Sequence, residues 1–161
     1  MLIKTITVLT KASFLALLLS CSIVNAGSYD IAVEAYEARD YKTAFKEFKI
    51  LADNGDTEAQ FQLGYMYELG RGVPQWYKQS IRLYELAADK NNISAQYRLG
   101  IMYSSKDSVV QDYITAHMWA NIAASNGNSQ KLRDNLAKKM SPQQIEEAQQ
   151  KASEWVAKHN N

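Results

Sequence analysis

The sequence is short of the residues that staple a fold or build an active site. It holds one cysteine, Cys21, so no disulfide can form within the chain and stability must come from packing. Its two histidines, His117 and His159, have no cysteine and no second histidine beside them. A zinc set normally needs three or four ligands, so the residues point to no metal and to no cofactor. Serines are plentiful, but no nucleophile-elbow sequence accompanies either histidine, and the expectation is a protein that is not an enzyme. Prolines number two and charged residues make up 22% of the chain, which fits one globular domain better than a disordered one. The formal net charge is +1, and it becomes −1 without Lys4 and Lys11. Phosphate neutralisation dominates nucleic-acid affinity, so a near-neutral chain without a basic stripe points away from a nucleic-acid partner.

Long apolar runs are also missing. The longest, Ala12 to Val24, has 13 residues, against the roughly 20 that a membrane-spanning helix needs. No membrane span is therefore expected. Lys4 and Lys11 before this run, and the small-residue site Val24-Asn25-Ala26 after it, are the parts of a secretory signal. Residues 1–26 are expected to be a signal peptide cleaved after Ala26, with one domain over 27–161 and a periplasmic or secreted destination. The run Leu18-Leu19-Ser20-Cys21 also resembles a bacterial lipoprotein box, in which Cys21 would carry the lipid of an outer-membrane lipoprotein.

What the chain does have is a repeat. Leu63-Gly64-Tyr65-Met66-Tyr67 recurs 36 positions later as Leu99-Gly100-Ile101-Met102-Tyr103. The same offset aligns 55–90 with 91–126 without a gap. It pairs Ala59 with Ala95, Gln60 with Gln96, Gln75 with Gln111, Tyr77 with Tyr113, and Ala87-Ala88 with Ala123-Ala124. Each unit reads as two helices. Ala59, Leu63 and Tyr67 fall on one helical face, Gly70-Arg71-Gly72-Val73-Pro74 breaks the helix, and Ile81, Tyr84 and Ala88 form the next stripe. Gly64 and Gly100 lie inside predicted helices, not before a helix N-terminus, so they are expected to clear space for a neighbouring helix and not to cradle phosphate.

Flanking segments continue the pattern. Residues 29–54 form a more compact pair turning at Arg39-Asp40. At the other end, Ser129 to Met140 reads as a weak helix. Ser141-Pro142-Gln143-Gln144 then carries an N-cap, a first-turn proline and a capping-box glutamine. That signature predicts a helix to about Lys158 with Ile145, Ala148, Ala152 and Trp155 on its apolar side. Two short helices cannot enclose a core alone, so the units must stack.

The pattern Ala-x3-Leu-Gly-x2-Tyr, then Gly-x-Gly-Val-Pro-Gln-x-Tyr, then a helix ending Ala-Ala resembles the Sel-one-like repeat (SLR) family, relatives of tetratricopeptide repeats. The resemblance implies an all-α, α/α solenoid: a right-handed superhelix of antiparallel helix pairs. About three repeats (29–54, 55–90, 91–126) would be followed by a C-terminal cap over 127–158. It also implies a protein-binding scaffold, since bacterial exported members serve envelope assembly, signalling or host interaction. Two other roles follow from relatives. Cysteine-rich members have been linked to β-lactam binding and hydrolysis, although their disulfides have no counterpart here, and Cys21 would suit a lipid-anchored envelope assembly factor. Two departures stand out: Trp76 occupies the place of a usual aspartate, found as Asp112 in the next copy, and Lys106, Ser108 and Val110 replace the turn's glycines and proline.

By the same resemblance the outer side of each first helix faces the concave surface where related repeats hold peptides. Helical geometry places Phe61 and Tyr65 there in the second unit, with Tyr97 and Ile101 as their counterparts. Tyr29, Val33 and Tyr36 stand at similar offsets in the first unit, and Glu58 and Glu68 flank the second. A row of aromatics of this kind marks protein interfaces. The expected partner is another protein, of the cell envelope or of a host, and His117 is expected at the surface or partly buried. Mass spectrometry of the mature protein checks the N-terminal assignment: a chain beginning at Gly27 is expected, and a lipid-bearing Cys21 would overturn it.

Overall fold

The computed structural model describes residues 29–106, 111–128 and 130–159; the segment expected to be a signal peptide lies outside them. Eight helices occupy the described residues, with no strand among them. The first, α1, is helical from 29 to 37. It is followed by α2 (Tyr41–Asp53), α3 (Thr57–Leu69), α4 (Tyr77–Ala88), α5 (Ile93–Ser104), α6 (Tyr113–Ser125), α7 (Lys131–Ala137) and α8 (Pro142–His159). α3 packs on α4 and α5 on α6 within pairs, α2 on α3 and α4 on α5 between pairs, and both α7 and α8 on α6. This is the expected solenoid with its C-terminal cap. None of the described helices is long and apolar enough to cross a membrane.

The stripes read from the repeat are buried except at Tyr67 and Ile81, which are partly buried and pack against the core. Ala59, Leu63, Tyr84, Ala88, Ala95 and Leu99 have at most 3% of their surface exposed, so the periodicity does locate the core. The repeated glycines sit where paired helices cross most closely. A Cβ on Gly64 would lie 2.9 Å from the Tyr84 ring and 3.3 Å from Leu83 Cβ. One on Gly100 would meet the Ala116 carbonyl oxygen at 3.3 Å and Leu132 Cδ2 at 3.1 Å. The repeated glutamines fasten one pair to the next. Gln60 donates to the Ala52 carbonyl at 3.3 Å and Gln96 to the Ala88 carbonyl at 3.4 Å, each satisfying the end of the preceding helix from a buried position.

Caps explain the helix starts. Asp56 and Asn92 accept from the Ala59 and Ala95 amides at 2.7 and 2.9 Å, the equivalent place in each unit. Asp112 accepts from the amides of Ile114 and Thr115 and from the Thr115 hydroxyl. Burial pushes its carboxyl up, but those hydrogen bonds outweigh burial and hold it below the ordinary carboxylate range. Trp76, in the corresponding place, makes no capping bond. Ser141 and Gln144 exchange the two reciprocal bonds of a capping box, at 2.9 and 3.3 Å.

Two expectations need correction. The weak helix ahead of the cap is shorter than Ser129–Met140, running only from Lys131 to Ala137. His117 is not at the surface: it is 2% exposed, and its Nδ1 has no hydrogen-bond partner among the described residues. The helical period put it beside Ala116 on the side that α7 covers, a contact no local pattern announces.

Two measurements test this packing. Tyr84 is fully buried with its hydroxyl tied to Glu68, so it cannot yield to a methyl group at position 64. Gly64→Ala is expected to destabilise despite alanine's better helix propensity, and Gly100→Val to cost about 1–3 kcal/mol by overpacking; unchanged melting temperatures would contradict the close crossing. Burial and the Arg133 charge lower the pKa of His117, opposed by Asp134. The unfolded chain then binds a proton that the native state refuses. Stability should be complete above the ordinary imidazole value of about 6.5 and fall as pH drops below it. Denaturant titrations between about pH 7 and 5.5 should show that fall in the wild type and a flatter profile in His117→Leu.

Candidate functional site

The turn between α3 and α4 organises the outer side of the first helices. Gly70 caps α3 in the left-handed conformation, and the Arg71 amide bonds back to the Met66 carbonyl at 2.9 Å. Gly72 has φ 73°, and a Cβ there would lie 2.2 Å from the Tyr41 carbonyl oxygen. Only glycine lets the turn press so closely on the start of α2. That contact carries the Arg71 side chain over the first repeat. Its guanidinium carbon lies 5.4 Å from the Tyr36 ring centroid, 5.3 Å from Tyr41 and 6.0 Å from Tyr65, and the Tyr36 hydroxyl accepts one of its N–H groups. Tyr36 and Tyr41 meet edge to face, with centroids 5.3 Å apart.

A second arginine continues the ladder. Arg98, on α5, sits 4.6 Å from the Tyr65 centroid and pairs with Glu68 of α3 at 3.3 Å. Glu68 also accepts from the Tyr84 hydroxyl at 2.6 Å. Burial, and then the neighbouring Glu68 charge, push the Tyr84 phenol far above its ordinary range, so it stays a neutral donor. The chain of contacts Tyr36–Arg71–Tyr65–Arg98–Glu68–Tyr84 thus links three successive helix pairs. Cation–aromatic contacts contribute about 0.5–2 kcal/mol each, depending on how far they are desolvated.

The nine expected partner-binding residues fall into four groups. Tyr36, Tyr65 and Glu68 are brought together by the two arginines. Tyr29, Val33 and Phe61 are half-buried and partly absorbed by the core: Tyr29 meets Phe48 edge to face at 5.7 Å, Val33 packs on the same cluster, and Phe61 lies 5.6 Å from Tyr84. Burial, then the Glu58 carboxylate, raise the Tyr29 phenol's pKa. Glu58 is exposed and accepts from Asn92 at 3.0 Å, which ties it to the next unit. Tyr97 and Ile101 are half-buried as well, and Ile101 helps to line a cavity of about 190 Å³ with Glu68, Leu69, Gln75, Tyr77 and Met102.

Sequence reasoning passed over Arg71 and Arg98. The repeat carried a usable signal: in register, Arg71 stands opposite Asp107 and Arg98 opposite Gln62, so charge changes between copies at both places. A second hollow, of about 380 Å³, lies between α6 and α8, lined by Asn121, Ile122, Ser125, Ala152, Ser153 and Val156. Among the described residues, no group of three or more His, Cys, Asp or Glu side chains is placed to hold a metal ion.

Stacked helix pairs with a ladder of side chains on their first helices define an α/α repeat solenoid. Residues 57–92 and 93–128 each match the Sel1 repeat, in the 36-residue period found above and two residues along from the expected boundaries. The chain thus carries two Sel1 repeats in tandem over residues 57–128. Its structure is similar to that of a protective antigen of uropathogenic Escherichia coli strains displaying an SLR fold, with TM-score 0.78 and 24% identity. That match covers 84% of this chain but only 30% of the antigen, so the chain spans less than a third of that relative's length. It is also similar to a Sel1 repeat protein from Oxalobacter formigenes, with TM-score 0.60 and 29% identity over 71% of this chain and 88% of that one. Among curated proteins, none matches. Sel1 repeats in general serve protein–protein interaction, and the fold is typically a non-catalytic scaffold.

Proposed function

We propose that the chain is an exported scaffold or regulator that binds a segment of another protein along the concave side of its first helices, α1, α3 and α5. The partner belongs to the cell envelope or to a host, and the protein acts in the periplasm or outside the cell after removal of residues 1–26. The observation that supports this reading is the tyrosine–arginine ladder. Tyr36, Tyr65 and Arg71 are all half-buried: their inner edges are held by the fold and their outer edges meet solvent. Side chains ordered before binding lose little entropy when a partner arrives, and tyrosine and arginine are prominent among interface anchors. Phe61, Tyr97 and Ile101 extend the same strip toward the third unit, with Tyr29, Val33 and Glu58 at its first-unit end.

The double variant Phe61→Ala, Tyr97→Ala is expected to lose capture of the partner in intact-cell crosslinking. Because Phe61 packs against the Tyr84 ring, a melting curve must show the solenoid intact. Capture at the wild-type level by a folded double variant would place the binding surface elsewhere.

A further inference from the structure

The two arginines of the ladder differ in one respect. Arg98 has its carboxylate, Glu68, at 3.3 Å. Arg71 takes part in none of the ion pairs formed among the described residues. It is half-buried all the same, with three tyrosine rings within 6.0 Å and one N–H given to the Tyr36 hydroxyl. A guanidinium has five N–H donors in a planar fork and no acceptor. Rings can stabilise its faces, but they do not satisfy the donors along its edge.

We infer that Arg71 anchors a carboxylate side chain, an aspartate or glutamate, of the partner segment. The inference rests on the proposed role of the first-helix face and names the chemistry that the first-unit end of that face recognises. Three points carry it. The guanidinium is held in place by the Gly70–Gly72 turn and by its tyrosines, so little side-chain freedom remains to be lost on binding. Its fork matches a carboxylate through two parallel hydrogen bonds. The charge balance also favours a single negative charge. Arg98 is already neutralised by Glu68, so a doubly charged phosphate would meet a single cation without a carboxylate of its own.

A displayed library of random dodecapeptides, selected in parallel against the mature protein and against Arg71→Gln, tests this. The expected result is an Asp or Glu enriched at one fixed position against the wild type, with affinity falling about tenfold or more on Arg71→Gln, as loss of a charge-assisted pair requires. Binding of the same peptides should also fall on Phe61→Ala, Tyr97→Ala. Peptides that lack an acidic preference, or keep it against Arg71→Gln, overturn the inference. If they still lose binding on Phe61→Ala, Tyr97→Ala, the binding face itself stands. Peptides insensitive to every one of these substitutions, or an empty selection, overturn both. Should Arg71→Gln fail to fold, Arg71→Lys replaces it, and a weaker version of the same acidic preference is expected because the charge stays and the fork is lost.

Discussion

The crossing of two helices at a bare backbone is the contact on which the rest of this structure depends. Gly64 lets α3 approach the Tyr84 ring and Leu83 on α4, and Gly100 lets α5 approach Ala116 and Ala120 on α6. A glycine within a helix costs about 1 kcal/mol relative to alanine, and close packing offsets it. Tight pairing still leaves each pair with an uncovered apolar side, which only the next pair can bury. Gln60 and Gln96 make that second contact specific, because each carries a buried amide to the last carbonyls of the helix before it. Stacking therefore consumes the inner stripe of every helix and leaves the outer side of the first helices for other work.

The turn couples this scaffold to its surface chemistry. Gly72 presses against Tyr41, and the same contact delivers Arg71 to a nest of tyrosines belonging to the first and second units. In both copies the turn closes alike: residues 76 and 112 donate their amides to Tyr67 and Tyr103 at 2.9 Å, and Gln75 and Gln111 donate to the Glu68 and Ser104 carbonyls. These shared closures hold even though Lys106 and Ser105 precede the third-unit turn where glycine and leucine stand in the second. The difference lies at the following helix start. Asp112 caps α6, whereas Trp76 gives α4 no side-chain cap and instead leaves an indole 56% exposed, with its ring edge-on to Tyr67.

Most of the fold was legible because repetition and capping are local. A 36-residue offset reveals the pairs without knowledge of their packing, and Ser141 to Gln144 announces α8 through bonds made within one turn. The site was legible only as a row. Helical geometry placed Tyr36, Tyr65 and Glu68 on one side, but periodicity cannot show that arginines from a turn and from the next unit draw them together. It also could not show how much of Phe61 and Tyr29 the core would absorb, since Tyr84 and Phe48 reach them from other helices. His117 was misjudged for the same reason: α7, which is contributed from outside the repeat, covers it. Long-range contacts between units decide each of these cases, and single-sequence patterns carry little about them.

The claim that binding uses the first-helix side is tested most directly by placing a photo-crosslinking amino acid at single positions in living cells. Position 97 on α5 samples the proposed surface. Positions 50 and 86, occupied by the exposed Ile50 and Leu86 of α2 and α4, sample the second helices. A discrete adduct from position 97 and none from 50 or 86 is the predicted result. Adducts from 50 or 86 with none from 97 would contradict it.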